Sequence, residues 1–334
     1  MELIRGLHNL RPQHRGCVAT LGNFDGVHLG HQAVLAQLKQ QAQKRNLPTC
    51  VLVFEPQPRE FFARRQAPAR LSLLRDKYQL LAQQGIDRLL CLAFNQRLRG
   101  LDARAFIQNV LLDGLGVQFL VVGDDFRFGC DRAGDFHLLQ EVGQDAGFDV
   151  AHTHTFMRAD ERVSSTRVRT LLASGNLQQA AVMLGRPYQI SGRVIYGRQL
   201  GRQWGVPTAN IALRHPVLPL QGVFAVLARV DDQIWPAVAN IGFRPSVDSL
   251  VPRLEVHLLD AQAHLYGQRL QVIFCARLRE EQKFADLHQL QQQIYADIQS
   301  ARDYFDAHKA MHVQPSASVN LWAHPPLASA PLAY

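Results

Sequence analysis

Between residues 16 and 156, short apolar runs alternate with longer segments whose apolar positions recur at helical spacing. The runs are 17–24, 49–54, 88–94, 118–122 and 148–152; between them 29–45, 72–84 and 102–112 read as helices. This alternation predicts a parallel sheet flanked by helices. In the first helix Leu35, Leu38 and Ala42 share one face and turn it to the sheet. Ser72 and Asp102 stand where N-caps belong. Around residues 185–187 the texture changes to short runs separated by turns, at 190–195, 222–230, 234–241, 253–259 and 268–274. Strand after strand at such spacing predicts an antiparallel barrel or sandwich. From Glu280 onward Phe284, Leu287, Leu290, Ile294 and Ile298 recur at helical spacing, so a closing helix is expected to pack across the barrel. Beyond about Met311 the chain is rich in Pro, Ala and Ser without period, the pattern of a disordered tail.

Open α/β sheets bind ligands at the carboxyl ends of their strands. Three loops fall there. The first is Gly22-Asn23-Phe24-Asp25-Gly26-Val27-His28-Leu29-Gly30-His31, a strand, glycine turn and helix start that offers backbone N–H groups to a phosphate. His28 and His31, three apart, share one helical face and can line a phosphate chain in its charge-rich transition state. The second, residues 55–62, is too proline-rich to continue as strand or regular helix. The third, residues 123–129, carries acids, an arginine and two aromatics. Further on, Ser164, Ser165, Thr166 and Arg169 bring hydroxyls and a guanidinium to a helix start running to about Ser174, an anion-binding arrangement or a plain capping run.

In the second half, residues 197–210 form a loop in which Gly201, Arg202 and Gly205 allow close approach to phosphates, and Thr208 and Asn210 supply oxygens suited to Mg²⁺. The loop lacks the Gly-Lys-Ser/Thr ending of a Walker A motif. Glu255 shares a strand face with Arg253 and His257, opposite Leu254, Val256 and Leu258. It reads either as a solvent-facing carboxylate or as a general base for phosphorylating an alcohol.

Composition narrows the picture. The 334 residues favour about two domains, and 47% hydrophobic with 19% charged residues excludes global disorder. The formal charge of +8 favours anionic partners, but Arg and Lys are scattered, which points to small phosphorylated ligands rather than nucleic acid. Cys17, Cys50, Cys91, Cys130 and Cys275 are too widely spaced for a disulfide framework or a CxxC metal site. There is no signal-peptide pattern and no apolar run near the roughly 20 residues of a membrane span. A cytoplasmic protein without membrane partner is expected.

Together these blocks resemble the prokaryotic bifunctional riboflavin kinase/FMN adenylyltransferase family, also called FAD synthetases, in order and spacing over roughly residues 1–308. His28-Leu29-Gly30-His31 is similar to the HxGH nucleotidyltransferase motif, and residues 54–62, 123–129 and 164–169 resemble the other adenylyltransferase blocks. Pro207-Thr208-Ala209-Asn210, Gly222-Val223-Phe224, Asn240-Ile241-Gly242 and Glu255-Val256-His257 resemble the kinase blocks, and Arg279 through Phe284 the closing segment. HxGH alone is shared with many enzymes; PTAN followed by EVH is specific.

The resemblance implies an α/β protein: a Rossmann-like nucleotidyltransferase domain over 1–185, a small antiparallel β-barrel kinase domain with a C-terminal helix over 186–308, and a tail over 309–334 without counterpart. It implies that riboflavin is phosphorylated to FMN by one ATP, giving ADP, and that FMN is adenylylated by a second, giving FAD and pyrophosphate, with Mg²⁺ as cofactor. Its implied residues are His28 and His31 at the adenylyl transition state, with Gly22, Asn23, Phe24, Gly30, Ser164, Ser165, Thr166 and Arg169 around the ATP. For the flavin they are Phe62, Asp125, Phe126 and Phe128 in the first domain and Arg279 and Phe284 in the second. In the kinase domain they are Gly201, Arg202 and Gly205 for ATP phosphates, Thr208 and Asn210 for Mg²⁺, and Glu255 for the riboflavin 5′-hydroxyl. Weak self-association fits this reading. Ser246, Phe224 and Gln203 depart from the family's usual Thr, Tyr and Thr. The competing readings are a nucleotidyltransferase with one activity on another phosphorylated metabolite, and a nucleic-acid-binding module.

Overall fold

The computed structural model describes residues 1–308 except 64–65, 124–125, 154, 159–160, 198–200, 202–203, 214, 216, 246–249 and 262. The expectations for Asp125, Arg202, Gln203, Ser246 and the 309–334 tail therefore lie outside the described residues. Contacts divide the chain into one unit of Met1–Ser191, Leu213–Gln221 and Gly242–Pro252, and a second unit of Gly192–Ala212, Gly222–Ile241 and Arg253 onward.

The first unit holds a parallel sheet of β1 (Glu2–Arg5), β2 (Cys17–Leu21), β3 (Thr49–Glu55), β4 (Arg88–Ala93), β5 (Val117–Gly123) and β6 (Asp149–Thr153), in the order β1-β4-β3-β2-β5-β6. The order reverses beside β2, so the loop after β2 leaves the sheet at its switch point. β2 is buried at every position because helices cover both faces. Cys17, Ala19 and Leu21 pack into one core with Ile107, Leu111 and Leu120; Val18 packs into the other with Leu35, Leu38 and Leu81. The helices are α1 (Leu29–Arg45), α2 (Pro58–Ala63), α3 (Leu74–Gln83), α4 (Gln96–Arg99), α5 (Ala103–Phe106), α6 (Phe136–Ala146), α7 (Ser165–Ala173) and α8 (Leu177–Leu184), with a short hairpin of β7 (Met157–Arg158) and β8 (Glu161–Arg162) before α7.

The pattern gives these elements with few departures. The parallel sheet, α1 and the Asp102 cap, whose carboxylate accepts from Ala105 N at 2.7 Å, are as expected. β1 escapes notice because only Ile4 of its four residues is buried. The 102–112 segment runs on to Leu115 as a π-helical stretch. Residues 58–63 form a short helix, because Pro58 stands at its first position, where a missing N–H costs nothing. Ser72 is not a cap: α3 starts after Leu73, and the Ser72 hydroxyl is taken up by the loop after β2.

The second unit contains most of a closed antiparallel barrel, in the order β10 (Ala209–Ala212), β13 (Leu250–Leu258), β12 (Gln233–Pro245), β11 (Gly222–Val230), β14 (Arg269–Arg279) and β9 (Gln189–Ile195). Closure leaves no open sheet edge. The last described helix, α9 (Leu287–Ala307), is capped by Asp286 and starts seven residues later than the pattern from Glu280 suggests. It packs Ala301 and Phe305 against Val223, Ala225, Leu227 and Ile273, whereas Leu287, counted in its apolar stripe, is exposed.

Candidate active sites

β2 ends at Leu21 and the chain turns through Gly22–Val27 into α1. Two non-glycine residues of this turn, Phe24 at φ 45° and Val27 at φ 41°, hold left-handed backbone, a strained form that persists only where surroundings enforce it. The enforcing contacts come from distant segments. The buried Asp25 carboxylate accepts from Leu71 N at 3.1 Å, Ser72 N at 3.0 Å and the Arg169 guanidinium at 2.5 Å. Ser72 Oγ accepts from Gly26 N, and Ser165 Oγ donates to the Asp25 carbonyl, both at 2.9 Å. Arg186 donates to the carbonyls of Gly26 and Val27, and Gln32 to that of Val27.

The clamp fixes the two histidines. His28 caps α1, its Nδ1 accepting from His31 N at 3.3 Å, which leaves the ring proton on Nε2. The rings of His28 and His31 stack at 3.6 Å and 16°, and Phe24 meets His31 at 5.0 Å. Burial, with Arg186 and Arg169 nearby, pushes the His28 pKa down to about 4 against the pull of Asp25. Burial, with His28, Lys77 and Arg186 beside it, also holds His31 well below the usual histidine range. Both are neutral hydrogen-bond donors at pH 7. Among the described residues Nδ1 of His31 is enclosed and without a partner.

This start of α1 forms part of a cleft of about 880 Å³, a volume suited to a nucleotide-sized ligand. Gly22, Asn23, Phe24, His28, Gly30, His31, Phe62, Phe126, Phe128, Ser164, Ser165, Thr166 and Arg169 all line it, so the expected residues of the first domain that are described come together. Their situations differ. Ser164 caps α7 by accepting from Arg167 N at 3.2 Å. Arg169 is turned to Asp25 and to the Ala69 carbonyl, which makes it a strut of the loop. Phe62 is 60% exposed against Phe61 and Phe94, with the Arg99 guanidinium 5.3 Å over its ring. Phe128 is buried in the cleft wall, stacked on Phe126 at 5.5 Å.

The clamp yields two expected outcomes. Asp25→Asn leaves the Arg169 charge unmatched and costs about 2 to 3 kcal/mol in thermal or urea unfolding, less than a fully buried pair because Arg169 keeps some water contact. The depressed His28 pKa acts on stability with a definite sign. Below the unfolded value of 6.5 the unfolded chain takes up a proton that the native ring refuses, so stability falls as pH drops from 6.5 towards about 4. Urea unfolding at pH 7 and pH 5 should differ by about 2 kcal/mol more in the wild type than in His28→Gln, at about 1.4 kcal/mol per pH unit.

In the second unit Asn210 on β10 stands opposite Glu255 on β13 in the antiparallel register. The loop reading of 197–210 thus needs correcting at its end, since Ala209 and Asn210 already belong to a strand. Asn210 is buried, and a Cβ on Gly197 would fall 2.4 Å from its Nδ2, so glycine is required for the loop to close on that amide. Gly201 accepts from Trp204 N and Val206 N through its carbonyl, and a Cβ on it would meet the Val206 carbonyl at 2.3 Å. Gly205 is at φ 72°, left-handed backbone that favours glycine. Leu254, Val256 and Leu258 are buried while Arg253, Glu255 and His257 lie on the other face, as the alternation predicts. Arg253 approaches Glu255 at 3.9 Å, and His257 Nδ1 meets the Pro207 carbonyl at 2.9 Å, beside Thr208. Arg279 and Phe284 also come together, the guanidinium 5.8 Å over the ring, with Arg279 held bidentately by the buried Asp297 of α9 at 2.7 and 2.8 Å.

Sequence reasoning missed Asp25, Ser72 and Arg186 as loop supports and Asp297 as the partner of Arg279. Asp25 was in view inside the singled-out stretch, and a carboxylate amid glycines in a turn at a strand end was its signal. No helix among the described residues is long and apolar enough to cross a membrane.

The family model for FAD synthetase matches residues 10–167 and that for riboflavin kinase residues 184–305. The bifunctional riboflavin kinase/FMN adenylyltransferase of Pseudomonas fluorescens is 55% identical over 90% of this chain and 97% of its own. That of Escherichia coli K12 is 50% identical over 91% and 98%. Among solved structures, a macrolide-efflux protein from Streptococcus pneumoniae is similar over 90% of this chain and 99% of its own, with a TM-score of 0.77 at 27% identity. That likeness spans both units, and the closer relatives carry the family. By identity over nearly their whole length, the chain belongs to the bifunctional riboflavin kinase/FMN adenylyltransferase family.

Proposed function

We propose that this chain makes FMN from riboflavin and ATP at the barrel, and FAD from FMN and a second ATP at the cleft of the first unit. The observation that carries the reading is that one chain holds both reactive constellations: stacked neutral histidines at a clamped helix start in a nucleotide-sized cleft, and Asn210 facing Glu255 across paired strands.

At the barrel, Glu255 takes the proton of the riboflavin 5′-hydroxyl as its oxygen attacks the γ-phosphorus of ATP, and ADP leaves. Arg279 and Phe284 form a cationic, aromatic wall for the flavin, with Asp297 holding the guanidinium in place. Thr208 and Asn210 fit Mg²⁺: their oxygens are hard and neutral, and among the described residues no cluster of three or more His, Cys, Asp or Glu offers another metal site. When bound there, Mg²⁺ would neutralise charge on the ATP phosphates.

In the cleft, an oxygen of the FMN phosphate attacks the α-phosphorus of ATP and pyrophosphate leaves. His28 donates from Nε2 to phosphate oxygens, and with His31 it meets charge that grows in the transition state. The N–H groups at the start of α1 supply further donors. Asn23, Gly22 and Gly30 line the phosphate path, the Ser164–Thr166 turn cradles the triphosphate, and Phe62, Phe126 and Phe128 flank the flavin. No covalent protein intermediate is needed, because positioning and charge stabilisation carry such transfers.

The working boundary lies near residue 185, with the kinase part over 186–308. The cytoplasm is the working compartment, supported by five unpaired cysteines. Small flavins and nucleotides, rather than nucleic acid or membrane, are the partners, and self-association is weak. Incubating the whole chain with riboflavin, ATP and Mg²⁺ and separating the flavins tests the reading. FMN followed by FAD is expected, and absence of both overturns it. FAD from supplied FMN, with no FMN from riboflavin, would leave an enzyme of one activity.

A further inference from the structure

The helix that closes the barrel also reaches the glycine loop. α9 is firmly seated on the second unit: Asp297 holds Arg279 of β14 at 2.7 and 2.8 Å, and Ala301 and Phe305 pack against Val223, Leu227 and Ile273. Two residues before Asp297, the Tyr295 hydroxyl donates to the Trp204 carbonyl at 2.9 Å. The Tyr295 ring is 47% exposed, and its hydroxyl is the part that meets the loop. A hydroxyl has one proton, and the Trp204 carbonyl takes it. One turn earlier, Gln291 Nε2 donates to the hydroxyl oxygen at 3.4 Å.

The carbonyl so held lies where the chain turns back on itself. Trp204 N and Val206 N both donate to the Gly201 carbonyl, at 3.1 and 2.8 Å, and Gly205 between them stands at φ 72°. Further on, the Pro207 carbonyl is 2.9 Å from His257 Nδ1; a carbonyl can only accept, so that nitrogen carries the ring proton. α9 and β13 thus pin the stretch on both sides of Gly205, at 204 and at 207. This suits an anion site in two ways. A carbonyl turned to a phosphate repels it, and these two are engaged by protein donors instead. Glycine also has the most backbone freedom to lose, so a stretch ordered in advance leaves less for the nucleotide to fix.

We infer that Tyr295 is a positioning residue for riboflavin phosphorylation, a latch from α9 that holds the 204–208 stretch in its ATP-binding form before the nucleotide arrives. The inference rests on the assignment of this stretch to the ATP of the kinase reaction. Tyr295 acts through the Trp204 carbonyl and touches no substrate.

Two measurements test it. Tyr295→Phe keeps the ring and removes only the hydroxyl. FMN formation is followed against ATP and against riboflavin in wild type and variant, with FAD formation from supplied FMN as the control for an intact chain. The KM for ATP is expected to rise about fivefold, the scale of one net hydrogen bond. The kcat at saturating ATP and the KM for riboflavin stay unchanged, because a latch made before binding acts on ATP affinity and not on the chemical step. A wild-type KM for ATP overturns the inference, as does a loss that falls on kcat or equally on FAD formation, the mark of a general defect. The second measurement is hydrogen exchange of the Trp204 and Val206 amides without nucleotide. In the wild type both are expected to exchange well below the rate of an unstructured chain, and exchange at that rate overturns the inference even if Tyr295→Phe does not fold. In the folded variant both should exchange about fivefold faster while the amides of β11 keep their rates. Failure of the wild type to make FMN from riboflavin would instead strike the functional reading and leave the exchange measurement standing.

Discussion

Glu255→Gln is expected to lower FMN formation from riboflavin by about 10³-fold while FMN supplied directly is still converted to FAD, on the scale of a lost general base. The substitution keeps the size of the side chain and its place opposite Asn210, and removes only the ability to take a proton. Leu254 and Val256 on the other strand face are fully buried, so they fix the register that aims position 255, and the variant should fold as the wild type does. The defect should fall on kcat rather than on the KM for ATP, because a base acts in the transition state and contributes little to binding ATP. Quantifying FMN and FAD after incubation with riboflavin, and separately with FMN, checks both halves. Retained kinase activity would take Glu255 out of the mechanism.

Residue types were easier to read than their meeting places. The strands of the first unit announce themselves because a strand covered on both faces must be apolar throughout, as β2 and β3 are over most of their length. The loop after β2 stood out as a candidate for a related reason: the sheet's strand ends are a general place for ligands, and glycines and histidines stand at one of them. What holds that loop was hidden. Its contacts join Asp25 to Leu71, Asp25 to Arg169 and Gly26 to Arg186, across 46, 144 and 160 positions, and no local periodicity reports such pairs. Ser72 shows the ambiguity well. A serine just before a helix satisfies the cap pattern whether its oxygen accepts from its own helix or, as here, from Gly26 N.

The same holds in the barrel. Alternation along 253–259 placed Glu255 on the solvent side of its strand, but nothing in the spacing places Asn210 across from it; that follows from the antiparallel pairing of β10 with β13. α9 was misplaced at its start because Phe284, three residues before Leu287, happens to keep helical phase with the stripe although it precedes the helix, and the Asp286 cap decides the matter. Arg279 was expected at the flavin on resemblance alone. Its bidentate pairing with Asp297 explains how a long, flexible side chain can present a fixed face there.

His31→Ala is expected to reverse the first result, with riboflavin carried to FMN at the wild-type rate and FAD formation lowered by about 10² to 10³-fold, the scale of one lost donor at a developing charge. Two effects compound. The donor itself is gone, and His28 loses the ring stacked on it at 3.6 Å, so the remaining imidazole is freer to turn from the phosphate path. Neither ring has to be protonated to work. The pKa of His28 is about 4 and His31 lies well below the usual range, so wild-type FAD formation should stay flat from pH 8 down to pH 6, where an ordinary histidine would already be mostly charged. A rate that instead rises towards pH 6 would mean that an imidazolium does the chemistry. Accumulation of FMN in His31→Ala, with FMN formation intact as the control for a folded chain, separates loss of this step from loss of structure, and normal FAD accumulation would refute the assignment.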